Sequence, residues 1–407
     1  MFHKYPKLFT DPQINYPIDD LDLSFADYIT QSKKIIANTR IDLTENNAET
    51  IINANAPFEF KPDLQSNKPR YGALLIHGLF DSPFSLRDIG THLKNQGLLV
   101  RSILLPGHGT VPGALLHVDY HQWLKAVRYG IHTLSKEVDE IFLVGDSTGA
   151  SLALYQEKKL DVNIAGIILL SPAFKIRSPF APLTRWFSKW ASSNSRAAWF
   201  YIGRHESRNY NKYSSFTFNA AYQVYQLTQE IKNIPDPTEP RCPLFFSLSQ
   251  DDKTICPETI VQYFHQHKNP HSRLLLYTNQ ANQFNDSRIM TRPSAYPEMR
   301  IINFSHISIP IAPDNAFYGN NGTYLYASHV HEKNNIIYGE FTKIDLQLNA
   351  FLYGLHLAKS HYQRLTFNPD FGFMTDSIGQ FIHSICDKKG VYVGKGSHED
   401  NQPLKKT

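Results

Sequence analysis

Cysteine is scarce: Cys242, Cys256 and Cys386 are the three in 407 residues, and they lie far apart with no C-x-x-C pair. That spacing argues against a disulfide framework and against a cysteine-ligated zinc site, leaving buried or inert thiols. Long apolar runs are also missing. No stretch approaches the length needed to cross a bilayer, and Met1 to Thr10 has no apolar core of signal-peptide length, so the expectation is a soluble, cytoplasmic protein. Nor is one sign of charge in excess. Lys and Arg number 41 against 37 Asp and Glu, a net +4, and no dense basic stripe carries interleaved aromatics. This balance speaks against nucleic acid as a partner. Internal repeats and low-complexity tracts are absent.

What the chain does have is core-forming material, 42% hydrophobic and 13% aromatic, enough for one enlarged domain. Residues 1–55 are polar and contain one helix candidate, Phe25–Thr39, whose Phe25, Tyr28, Ile29, Ile35 and Ile36 favour one face; it reads as a docking helix on an N-terminal extension. Beyond the short strand candidate at Phe58 an alternation begins. Strands are expected at Ala73–His77, Leu98–Leu105, Ile141–Val144 and Ile164–Leu170, with helices at Pro83–Asn95, Tyr120–Lys136 and Ala150–Lys159 between them. Such alternation implies right-handed βαβ crossovers and an α/β fold, a mostly parallel central sheet with helices on both faces. The pattern breaks over 172–240, where proline and aromatics concentrate, and resumes with strand Leu244–Leu248 and helix Glu258–His267. The core is therefore expected to comprise 56–171 and 241–407, with 172–240 inserted as a cap over an apolar pocket. Phe80, Trp186 and Phe187 are its candidate lining residues.

The chemistry concentrates at Glu140-Ile-Phe-Leu-Val-Gly-Asp-Ser-Thr-Gly-Ala150, a short apolar run that breaks into Gly-x-Ser-x-Gly and continues into a helix-forming stretch. A serine at the tip of a sharp strand-to-helix turn needs neighbours without side chains two positions away, as Gly145 and Gly149 provide. Ser147 is the candidate nucleophile. Acyl transfer also needs a base, an acid to orient it and donors for the oxyanion, and in this architecture the chain order is Ser, then Asp or Glu, then His. The loop after Leu244–Leu248 offers Asp251 and Asp252. Asp252 is preferred because a β-branched residue follows three positions later (Ile255) and a proline soon after (Pro257), with Asp251 the alternative. Of eighteen histidines, His306, at the end of the strand-like segment Arg300–Ser305, is the candidate base. His329 and His331 alternate on one face but lack a third ligand at suitable spacing, so no metal site is expected. The N–H groups of Thr148 and Leu79 are the candidate oxyanion donors, Leu79 following the sharp turn that Gly78 permits, with His77 bracing that loop.

Three motifs, His77-Gly-Leu-Phe-Asp-Ser-Pro83, Leu105-Pro-Gly-His-Gly-Thr110 and Gly145-Asp-Ser-Thr-Gly149, together resemble the α/β-hydrolase superfamily, and more narrowly its bacterial carboxylesterase and monoacylglycerol-lipase-like branch. The resemblance covers roughly residues 70 to 175 and 240 to 260. It implies a Ser-His-Asp hydrolase that needs no cofactor, acts on carboxylic esters as small-molecule substrates, and carries a cap after the sixth strand. Asp146 and Thr148 depart from the residues commoner at those two positions. The stretch from Asp252 to His306 is longer than in compact members, so an extra excursion lies between them. Proline-iminopeptidase-like enzymes share the fold and the triad, which keeps an aminopeptidase or amidase as the alternative, and a non-catalytic binding protein on the same fold is a further one.

Overall fold

The computed structural model describes residues 6–63, 69–157, 159, 162–177, 199–200, 209–232, 242–280, 284–324, 336–355 and 357–386. Helix α1 (Phe25–Thr39) forms over the expected residues, with the Ser24 side chain capping the N–H of Asp27. Phe25 and Tyr28 enter the main core. The Tyr28 hydroxyl donates to the Leu104 carbonyl and accepts from the Leu104 N–H, both at 3.1 Å, which ties the N-terminal segment to the end of a central strand. Helix α2 (Ala48–Asn55) leads into β1 (Phe58–Phe60), the antiparallel edge strand.

The expected alternation follows, with shifted ends. Strand β2 (Tyr71–Ile76) is fully buried; next comes a turn of 3-10 helix (Pro83–Leu86) and α3 (Arg87–Asn95), where one helix was expected over Pro83–Asn95. Strand β3 (Leu99–Ile103), α4 (Tyr120–Ser135), β4 (Glu140–Asp146), α5 (Thr148–Glu157) and β5 (Ile164–Leu170) complete the first half. A capping box starts α4: Asp119 accepts from the Gln122 N–H while the Gln122 side chain accepts from the Asp119 N–H. Near-continuous apolar runs in β2, β4 and β5 fit strands covered on both faces.

Between β5 and the next sheet strand lie β6 (Trp199–Phe200), paired antiparallel with β7 (Phe216–Thr217), and α6 (Phe218–Lys232). Ala220, Val224, Leu227 and Ile231 of α6 join the same buried cluster as Leu152 and Leu154 of α5. Trp186 and Phe187 lie outside the described residues, as do His329 and His331. Strand β8 (Leu244–Ser249), α7 (Pro257–Gln266), β9 (Arg273–Tyr277) and β10 (Ile289–Arg292) finish the large sheet, whose order is β1-β3-β2-β4-β5-β8-β9-β10 with every pair except β1–β3 parallel. The excursion between Asp252 and His306 is accounted for: it holds α7, β9 and β10, neither of the two strands anticipated from sequence. A second, two-stranded parallel sheet pairs β11 (Ile336–Gly339) with β12 (His361–Arg364), with α8 (Lys343–Gly354) between them. Helix α9 (Phe371–Cys386) packs Phe381 against Phe245 of β8. Among the described residues no helix is long and apolar enough to cross a membrane.

Gly149 sets the closest approach in the core. A Cβ there would stand 2.0 Å from the Ile76 carbonyl oxygen, so α5 can begin against β2 only if residue 149 has no side chain. Gly149→Ala is expected to destabilise the fold by about 3 kcal/mol or more, as severe overpacking against immovable backbone does. Exposed Gly372 in the first turn of α9 meets nothing within 4 Å, and Gly372→Ala should change stability by less than about 1 kcal/mol. Thermal and urea melts of the two variants check the contrast; equal effects would contradict it.

Candidate active site

Strand β4 delivers the site. Its last residue, Asp146, is followed by Ser147 at φ +52°, a left-handed conformation that non-glycine residues seldom adopt, and α5 starts at the next residue. The Ser147 N–H still donates to the Leu170 carbonyl at 2.8 Å, so the strained residue remains anchored to β5. Gly145 faces Ala150 so closely that a Cβ would fall 2.4 Å from the Ala150 backbone. Tight packing on both sides of the turn fixes where the Ser147 side chain stands.

From Ser147 a single hydrogen-bonded chain runs inward. The Ser147 Oγ lies 2.9 Å from His306 Nε2, and His306 Nδ1 lies 2.6 Å from Asp252 Oδ2. The other Asp252 oxygen accepts the N–H groups of Thr254 at 2.7 Å and Ile255 at 3.0 Å. Burial would raise the Asp252 pKa, yet His306 and these two N–H donors outweigh it and hold the carboxyl below the ordinary value. For His306 burial opposes the charged ring, but Asp252, and more weakly Asp146, hold its pKa above the usual histidine value. A hydroxyl, an imidazole and a buried carboxylate in this order can pass a proton from the hydroxyl to the ring and stabilise the resulting imidazolium.

The two adjacent aspartates separate cleanly. Asp251 accepts from the Ser294 hydroxyl at 2.8 Å and does not share the imidazole with Asp252. His306 sits in a loop rather than at the end of a sheet strand. Ile301, within the expected strand-like segment, forms only isolated bridges, to Tyr296 and Tyr338, because the large sheet already ends at β10.

The His77–Ser82 loop runs beside the turn: a Cβ on Gly78 would lie 3.2 Å from Ser147 Cβ and 3.1 Å from Asp146 Oδ2. His77 is fully buried; its Nε2 accepts the Leu105 N–H at 3.1 Å, so Nδ1 carries the proton and donates to the Gly78 carbonyl at 2.8 Å. Burial pushes the His77 pKa down to about 4, which keeps the ring neutral as a strut between two loops. Leu79 and Phe80 are half-buried beside the turn. Phe80 has φ +64°, and its carbonyl accepts the Tyr213 N–H at 2.8 Å.

Three features of the site had no clear sequence signal. Asp146 is buried, with one oxygen lacking a hydrogen-bond partner among the described residues. Lys212 reaches across to Asp81 at 2.8 Å from a part of the chain far along in sequence. Glu340 accepts the backbone N–H of His306 at 2.7 Å and is itself held by Arg364. Among the described residues no group of three or more His, Cys, Asp or Glu could hold a metal ion.

Residues 67–281 match the family model described as serine aminopeptidase, S33. Over 129 residues the chain is 30% identical to a thermostable monoacylglycerol lipase from Bacillus sp. (strain H-257), a match covering 30% of this chain and 51% of that protein. Over 214 residues it is 25% identical to an uncharacterised abhydrolase domain-containing protein from Dictyostelium discoideum, covering 48% of this chain and 22% of that one. The matches thus span no more than about half the length of either curated relative. Among solved structures, a soluble variant of monoglyceride lipase from Saccharomyces cerevisiae with a substrate analogue is similar at TM-score 0.46 and 16% identity, over 55% of this chain and 82% of that one. A monoacylglycerol lipase from Paleococcus ferrophilus is similar at TM-score 0.44 and 19% identity, over 55% and 88%. The chain's own fold is α/β, a mostly parallel eight-stranded sheet flanked by helices.

Burial raises the Asp146 pKa to about 7, partly offset by His306 and Lys212. The folded protein therefore keeps a proton that the unfolded chain releases near pH 4, and this group's contribution to stability is fully present below about pH 4 and lost as pH rises toward 7. Relative to Asp146→Asn, the wild-type urea midpoint is expected to fall across that window; a constant offset at all pH values would contradict the assignment.

Proposed function

This chain belongs to the serine aminopeptidase S33 family, and from that premise we propose that it is a serine hydrolase cleaving carboxylic esters through a covalent acyl-enzyme. The observation that carries the proposal is the unbroken chain Ser147–His306–Asp252 at the strained strand-to-helix turn. In this reading His306 Nε2 takes the proton as Ser147 Oγ attacks the acyl carbonyl. Asp252, ionised and held by two backbone N–H groups, fixes the Nδ1–H tautomer and stabilises the imidazolium. The tetrahedral oxyanion is assigned to the N–H groups of Leu79 and Thr148, where the start of α5 adds a favourable helix dipole. His306 then protonates the leaving alcohol, and water repeats the sequence to release the acid.

The proximity of the Gly78 loop to Ser147 supports the oxyanion assignment, because it brings Leu79 to the turn. We assign 172–240 as the cap, and its aromatic content together with Phe80 supports a medium or long acyl chain. The matched family's description as serine aminopeptidase favours one competing reading, hydrolysis of an aminoacyl amide by the same residues.

Turnover of p-nitrophenyl esters from acetate to laurate, beside aminoacyl arylamides, tests both. Ester hydrolysis rising with chain length is expected, with Ser147→Ala losing at least about 10⁴-fold and Asp252→Asn about 10³- to 10⁴-fold in kcat. Arylamide cleavage exceeding ester cleavage would replace the esterase reading, and a maximum at acetate would remove the apolar-pocket argument.

A further inference from the structure

The small sheet β11–β12 meets the site at one point. Gly339 of β11 pairs with Arg364 of β12, and the next residue after β11 is Glu340, 2% exposed. Glu340 Oε2 accepts the His306 N–H at 2.7 Å, and its Oε1 accepts from Arg364 Nη2 at 2.9 Å. The same Nη2 donates to the Thr254 hydroxyl at 3.1 Å, and the Thr254 N–H is one of the two donors on Asp252. One ion pair thus touches the backbone of the base and the loop of the acid. The neighbouring backbone reinforces it: Ser305 Oγ donates to the Leu365 carbonyl at 2.6 Å, and the Glu340 N–H donates to Asn303 Oδ1 at 2.6 Å.

We propose that Glu340 and Arg364 are positioning residues, a clamp that holds His306 and the Asp252 loop at the spacing their hydrogen bond requires. This rests on the hydrolase reading for its consequence in turnover, and on the geometry alone for its effect on the imidazole. His306 comes from a long loop after the last strand of the large sheet, so that sheet alone does not fix its approach to Ser147. The clamp supplies the missing reference. Glu340 takes up a backbone N–H that burial would otherwise leave costly, and Arg364 compensates the buried carboxylate. Arg364 is one-third exposed, so its replacement removes the tie without opening the core.

The charged and titratable groups around His306 are Asp252 and Asp146, which favour the imidazolium, Arg364, which opposes it, and Glu340 at its backbone. The two clamp residues therefore act with opposite sign on the ring. Arg364→Gln removes a cation and should move the His306 titration to higher pH. Glu340→Gln keeps an amide oxygen for the His306 N–H but leaves Arg364 uncompensated, and should move it to lower pH.

The experiment is an NMR titration of ring-labelled histidine in the full chain, the His306 signal being identified by its loss in His306→Ala. Ester turnover is measured on the same samples after circular dichroism has verified their fold. Opposed shifts are expected, with kcat falling roughly ten- to a hundredfold in both variants, as small misplacements of reacting groups produce, and KM little changed. Unmoved titrations, or two shifts of the same sign, would overturn the clamp. Opposed shifts in the two variants, together with a wild type that turns over no ester, would remove the hydrolase reading and leave the clamp on the histidine standing.

Discussion

The start of α5 sits so close to the β2 carbonyls that only glycine fits at residue 149, and the rest of the site follows from this contact. The same approach forces the chain to turn within one residue, which places Ser147 at φ +52°. Parallel pairing of Ile76 with Gly145 fixes the height of the turn relative to β2, and the loop leaving β2 passes within contact distance of Ser147. Steric exclusion, more than any attractive interaction, thus sets Ser147 against its neighbours. Strain of this kind persists only where surrounding structure over-determines it, and here the fully buried β2 and the almost wholly buried β5 flank the turn.

Electrostatics then divides the labour between two buried aspartates. Asp252 receives two backbone N–H bonds and an imidazole and stays ionised; Asp146, one residue from the serine, has an oxygen without a partner among the described residues and holds its proton up to about pH 7. Similar burial gives opposite outcomes because only one carboxylate is solvated by protein dipoles. His306 lies between them, so the field it feels combines a permanent anion with a group that titrates near neutrality. The same logic keeps His77 and His108 neutral, lowered by burial to about 4 and about 3, which makes them struts rather than acids.

Much of this was legible in the sequence where local pattern and steric need coincide. The alternating strands and helices gave the α/β architecture, and the glycine spacing around Ser147 marked the turn because no other residue type satisfies it. Asp252 was separable from Asp251 by the residues that follow it. Strand β10 escaped because Ile289–Arg292 is short and carries polar residues, as an edge strand does, so it lacks the apolar signature of the central strands. Glu340 and Arg364 were invisible for another reason. Their role comes from a parallel pairing that closes long after His306 in the chain, and nothing in local composition encodes which backbone N–H a distant carboxylate will reach. The predicted aromatic lining at Trp186 and Phe187 lies outside the described residues.

The most direct measurement is covalent labelling of Ser147: incubation of the full chain with a fluorophosphonate, followed by intact-mass and peptide mapping. One phosphonyl group on Ser147 is expected, formed more slowly in Asp252→Asn and absent in Ser147→Ala. A wild-type chain that takes up no adduct, or one that carries it on a residue other than Ser147, would contradict the assignment of this site as a serine hydrolase.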